Sequence, residues 1–126
     1  MAECALRLGF EHITIVDGDK VERSNLNRQN YTENDIGRYK AECLTERLQS
    51  INPDAQIDYH TEFLNPDNIE EMLNGHNVAI NALDFKDNTP FVFDRICKEK
   101  KSPYFIHTIL DGRGLSRLLI RWDIPC

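Results

Sequence analysis

Short runs of β-branched and aromatic residues alternate along this chain with segments of helical period. That alternation restricts the fold to βαβ units, in which helices flank a mostly parallel sheet. Residues 1–8 read as a helix with Gly9 at its C-terminal cap, and His12–Asp17 (HITIVD) as a buried strand bounded by Gly9 and Gly18. From about Ile36 to Ile51, Ala41, Leu44, Leu48 and Ile51 recur at spacings of three and four, which predicts an amphipathic helix stopped by Asn52-Pro53. Ala55–His60 alternates apolar and polar residues, as a half-exposed strand near a sheet edge does. Asn65-Pro66 reads as the cap of a short helix through Ile69, Met72 and Leu73 that Gly75 closes, and Val78–Leu83 as a second buried strand. Thr89-Pro90 opens a helix through Phe93, Ile96 and Cys97 that ends in the cationic run Lys98–Lys101. Tyr104–Ile109 and Leu115–Trp122 are two further strands, joined by the turn Asp111-Gly112-Arg113-Gly114.

At 126 residues the chain has the size of one domain. Twenty-one acidic against fifteen basic residues give a formal charge of −6, the wrong sign for holding nucleic acid by phosphate neutralisation. No apolar run approaches the roughly 20 residues of a membrane span, and MAECALRLGF has no signal-peptide pattern, so the expected setting is cytoplasmic. Cys4, Cys43, Cys97 and Cys126 lie far apart without a CxxC pair. They support neither a zinc site nor a disulfide framework and read as buried free thiols.

In an open α/β sheet, ligands bind at the carboxyl ends of the strands. Asp17-Gly18-Asp19 follows the first strand, where a carboxylate can accept both ribose hydroxyls of a nucleotide; Asp84, with Asp87 close behind, follows the Val78 strand, where it could hold Mg²⁺ on phosphates. The polar stretch from Gly18 to about Gly37 is longer than a bare linker in a compact domain and carries Ser24-Asn25-Leu26-Asn27-Arg28-Gln29, several neutral hydrogen-bonding groups around one planar cation. Lys40 adds a compact cation at the start of the next helix. Taken singly, each of these is more simply turn chemistry, a solvated loop or a solvent-facing lysine.

Taken together they resemble one family. IVDGDKVERSNLNRQ, GRYKAE, INPDAQI and the strand ending NALD are similar, in order and spacing, to the adenylating domain shared by ThiF, MoeB and ubiquitin-activating enzymes. The acid-x-acid, SNLNRQ seven residues after Asp17, and a lysine eleven residues beyond Gln29 make the resemblance specific, and it extends over residues 1–126. It implies a Rossmann-like fold and an ATP- and Mg²⁺-dependent adenylation of the C-terminal carboxylate of a ubiquitin-like or sulfur-carrier protein, with release of pyrophosphate. By the same resemblance, Asp17, with Asp19 beside it, is the ribose-binding acid. Asn25, Arg28 and Gln29 face the nucleotide, Lys40 reaches the phosphates, and Asp84 positions Mg²⁺, with Arg28, Lys40 and Asp84 as the catalytic set. Homodimerisation is expected by analogy.

The sequence departs from the family pattern in three ways. The family's first strand and glycine-rich phosphate loop would precede the opening helix, and Met1-Ala2-Glu3 already falls inside that helix, so the domain is expected to be incomplete at both ends and ATP affinity to be reduced. The neighbours of that central strand are expected to have unpaired edges. No cysteine matches the family's catalytic cysteine, Cys97 reading as core, and the CxxC zinc ligands are missing, with Cys126 at most half of one pair. NALDFKDN also sets Asp87 and Asn88 in competition with Asp84 for the metal. Two other functions stand beside adenylation: a non-catalytic binding or dimerisation module of the same fold, and an NAD- or FAD-binding Rossmann domain, which SNLNRQ with Lys40 counts against.

Overall fold

The computed structural model describes residues 2–80 and 88–99 in full, and the backbone of 81, 104–107 and 117–121. The first helix, α1, spans Ala2–Arg7, and Gly9 beyond it takes φ +102, a left-handed conformation that costs glycine little. β1 (His12–Val16) follows. The polar stretch after β1 is folded on itself, with two 3₁₀ turns at Arg23–Asn25 and Glu33–Asp35. Its two ends are tied together: the Val21 N–H donates to the Arg38 carbonyl at 2.9 Å and the Gly37 N–H to the Val21 carbonyl at 2.9 Å.

The helix expected from Ile36 begins four residues later, as α2 (Lys40–Ile51). Ile36 is extended at ψ 128 and Gly37 sits at φ +85, so neither backbone can belong to a right-handed helix. β2 (Gln56–His60) comes next. Asn65 caps a turn instead of a helix: its Oδ1 accepts the N–H groups of Asp67 (2.9 Å) and Asn68 (3.1 Å), and α3 (Ile69–Leu73) starts only after Asn68. β3 is Val78–Asn81 and α4 is Thr89–Glu99. The Asn88 carbonyl accepts the Val92 N–H at 3.1 Å, so Asn88 occupies the cap position expected of Thr89. β4 (Tyr104–His107) and β5 (Arg117–Arg121) complete the sheet. Asp84, Asp87, the turn at 111–114 and Cys126 lie outside the described residues.

The sheet order is β2-β1-β5-β3-β4. β1 and β2 are parallel, as are β3 and β4, and β5 runs antiparallel to both β1 and β3, so the other four strands point the same way. The edge position expected for β2 is the one observed. β4 and β5, expected to follow one another through a turn, are not neighbours, because β3 lies between them. Nor are the inner edges of β1 and β3 unpaired. β5 hydrogen-bonds along both, with Leu118 opposite Ile15 on one side and Ile80 on the other.

Two apolar layers cover the sheet. Ile13, Ile15, Ile57, Val78 and Ile80 pack with Leu6 of α1 and Ala41 and Leu48 of α2. Val16 and Ala79, of opposite strand parity, pack with Ile69 and Leu73 of α3 and Phe93 and Cys97 of α4. Cys97 is thus a core residue, and Cys43 is buried as well, whereas Cys4, expected inside, is exposed. No helix among the described residues is long and apolar enough to cross a membrane.

Candidate functional site

β1 delivers Asp17 to the carboxyl edge of the sheet. The residue is 6% exposed, and its N–H donates to the His60 carbonyl at the end of β2 (3.1 Å), which continues the pairing of the two strands by one step. Its Oδ1 accepts the Asp19 N–H at 2.9 Å and so turns the chain out of the sheet. The turn thus holds the buried carboxylate in one orientation at the strand end.

Lys40 meets this turn from α2. Its N–H donates to the Asp19 carbonyl at 2.9 Å, and its Nζ stands 3.6 Å from Asp19 Oδ2. The side chain is 10% exposed, far from the solvent-facing lysine that its position on a helix suggests. The loop closes next to it: Lys20 and Tyr39 form a β-bridge, and the Lys20 ammonium sits 4.9 Å over the Tyr39 ring. Asp19 is mostly exposed, so the pair stands at the edge of solvent beside the strand end.

Asn25, Arg28 and Gln29 form a second group. The buried Asn25 accepts the Glu22 N–H on Oδ1 at 2.9 Å, and its carbonyl accepts the N–H groups of Arg28 (3.1 Å) and Gln29 (2.8 Å). Asn25 therefore shapes the loop, and only its amide NH₂ is left to meet a ligand. Arg28 is exposed and makes no ion pair among the described residues, unlike Arg38, which Glu42 (3.3 Å) and Glu46 (2.5 Å) hold firmly protonated. The Gln29 Oε1 is buried with no hydrogen-bond partner among the described residues. A buried amide oxygen in that state costs about 1–3 kcal/mol.

Two groups set the environment of this loop. Asp35 is held below the usual carboxylate range, first by the Thr32 N–H at 2.7 Å and then by the Thr32 hydroxyl at 2.9 Å, which fixes the second 3₁₀ turn. Burial pushes the Cys43 thiol up to about 11, so it stays protonated and inert as a nucleophile at neutral pH. Sequence reasoning missed the neighbour of Gly18. A Cβ at Gly18 would stand 2.7 Å from the ring of Phe63, so glycine is required there by a side chain 45 positions away rather than by turn geometry. An aromatic just past a strand that ends at a sheet edge was the only signal in the sequence.

The whole chain, residues 1–126, matches the model of the ThiF family. The chain belongs to the ThiF family. Among curated ThiF-like relatives it is 31% identical to the sulfur carrier protein ThiS adenylyltransferase of Bacillus subtilis, over 99% of this chain and 38% of that protein. It is 36% identical to the tRNA threonylcarbamoyladenosine dehydratase of Escherichia coli, over 66% of this chain and 32% of that protein. The crystal structure of the Escherichia coli dehydratase in complex with ATP superposes with a TM-score of 0.81 at 30% identity, over 90% of this chain and 47% of that one. The chain thus spans between about a third and a half of the length of these relatives. The fold is the Rossmann-like α/β architecture of ThiF-type adenylating enzymes, and ATP binding is a property of its structural neighbours.

Proposed function

We propose that this chain is an adenylating domain, spanning residues 1–126, that uses ATP to activate the C-terminal carboxylate of a ubiquitin-like or sulfur-carrier protein. The observation that carries the reading is the burial of Asp17 at the end of β1 with the Lys40 ammonium drawn in beside the same turn. Asp17 accepts the ribose hydroxyls. Arg28 and Gln29 contact the phosphates, with Asn25 holding both backbones in place, and Lys40 neutralises charge on the α-phosphate while Asp19 keeps its ammonium directed.

No side-chain base is needed, because the acceptor arrives as a carboxylate. Its oxygen attacks the α-phosphorus in line; the new P–O bond forms as the bond to the bridging oxygen breaks, and pyrophosphate leaves with that electron pair. Rate then comes from position and from cations held where charge develops. In this reading Asp84 would hold a Mg²⁺ that arrives with the triphosphate and would neutralise charge on it. A homodimer is expected by analogy with the family.

A second reading keeps the ATP chemistry and places the acceptor on tRNA, and the similarity to the dehydratase favours it. The charge of −6 weighs against it, since an excess of acidic residues is the wrong balance for neutralising a nucleic-acid backbone. Isotope exchange between pyrophosphate and ATP tests both. Exchange that requires a carrier protein ending in a free carboxylate supports the first reading, exchange that requires tRNA supports the second, and exchange with neither removes the adenylating claim.

A further inference from the structure

Resting on the phosphate reading of Lys40, we propose that Arg38 is its positioning residue: the guanidinium clamps the first two turns of α2 to the end of the loop and thereby aims the Lys40 ammonium. Lys40 is the first residue of α2, and the helix start to which it belongs has no side-chain cap, because Tyr39 stands where Ser, Thr, Asp or Asn would accept an N–H of the first turn. A first turn without a cap frays, and a lysine on it swings with it.

Arg38 supplies the missing tie. Its carbonyl accepts the Val21 N–H at 2.9 Å and its N–H donates to the Asp35 carbonyl at 3.0 Å, so its backbone belongs to the loop. Its side chain reaches the helix. Nη1 donates to Glu46 Oε2 at 3.0 Å and Nη2 to Glu46 Oε1 at 2.5 Å, a two-pronged contact, while Nη2 stands 3.3 Å from Glu42 Oε1 and Nη1 3.9 Å from Asp35 Oδ1. One planar cation thus joins the second 3₁₀ turn of the loop to the first and second turns of α2. The Lys40 N–H is tied to the Asp19 carbonyl at 2.9 Å, so the helix start is held on both sides of Lys40. The macrodipole opposes a cation at this end of a helix, so the carboxylates and not the helix retain the guanidinium. With its charge turned to three carboxylates, Arg38 acts on a nucleotide through Lys40 rather than by touching phosphate.

The test is a double-mutant cycle on MgATP affinity, measured by calorimetric titration of the full chain. Lys40→Met is expected to weaken MgATP by about 10- to 100-fold, the range for losing one hydrogen bond to a charged group, and Arg38→Met to give most of that loss. In the Lys40→Met background Arg38→Met is expected to add nothing, because the group it aims is gone. Glu46→Gln, which weakens the clamp from the α2 side, should reproduce part of the Arg38→Met loss, and Arg38→Lys, which keeps the charge without the fork, should recover part of it. Urea midpoints should move little in these variants, since the ion pairs lie at the surface. A loss from Arg38→Met that is undiminished in the Lys40→Met background would mean a general loosening of the loop and overturns the positioning role. MgATP affinity untouched in Arg38→Met but weakened in Lys40→Met would overturn it too and leave the phosphate reading standing. MgATP bound equally well by Lys40→Met, or not bound by the unaltered chain, would remove the phosphate reading and this inference together.

Discussion

Asp17 has two duties that a pair of substitutions separates. Its Oδ1 turns the chain by accepting the Asp19 N–H at 2.9 Å, and its charge, buried at 6% exposure, is the part that would grip ribose. Asparagine keeps the first and removes the second, because its own Oδ1 can accept the same N–H. The loss is then the difference between two charge-assisted and two neutral hydrogen bonds to hydroxyls, about 1–1.5 kcal/mol each, or roughly 30- to 150-fold in ATP affinity. Folding should change little, since the turn hydrogen bond is kept. Alanine removes both duties, so Asp17→Ala should show at least the same binding loss and in addition lose about 1–2 kcal/mol of folding stability from the stranded Asp19 N–H. Calorimetric titration with MgATP and urea unfolding of the two variants give the four numbers needed. If Asp17→Asn binds ATP like the unaltered chain while Asp17→Ala is merely less stable, Asp17 is a turn residue and the ribose assignment is wrong.

Three further outcomes follow from the same geometry. Lys40→Met keeps the buried stem and should change stability by less than about 1 kcal/mol, since its partner Asp19 is 57% exposed, yet pyrophosphate–ATP exchange should fall by about a hundredfold; a loss of stability with exchange intact would reverse the assignment. Gly37→Ala meets nothing within 4 Å but must hold φ +85, so urea unfolding should register a purely conformational cost of about 1–2 kcal/mol, and a neutral result would mean that the loop end relaxes. Asp35 has a folded-state pKa below its ordinary 3.8, so its stabilisation is fully present above that value and is lost as pH falls through the lowered one. Urea midpoints should therefore drop less below pH 4 for Asp35→Asn than for the unaltered chain, and parallel curves would show that the Thr32 contacts carry no stability.

Local pattern revealed most of this fold, because most of its elements are set locally. Gly9 ends α1 by its own backbone freedom, the three-and-four spacing of Ala41, Leu44, Leu48 and Ile51 produces α2, and alternation marks β2 as an edge. What escaped the sequence is non-local. Nothing in Arg117–Arg121 indicates that this strand inserts antiparallel between β1 and β3, since pairing is decided by which edges remain open once the other strands are laid down. The site divides along the same line. Asp17 was legible because an acid after a strand sits at the sheet edge wherever the strand goes, and Arg28 because its exposure needs no partner. Lys40 was the residue that local reasoning placed in solvent, and it is buried where the loop ends are tied by backbone hydrogen bonds from Val21 to Arg38, seventeen positions away, and to Gly37. The same closure brings the ammonium to the Asp19 turn. A chain with the same lysine but an open loop would present its ammonium to solvent instead of to the Asp19 turn, so in the proposed reading the loop's hydrogen bonds, and not the identity of the lysine alone, decide whether Lys40 can meet a phosphate.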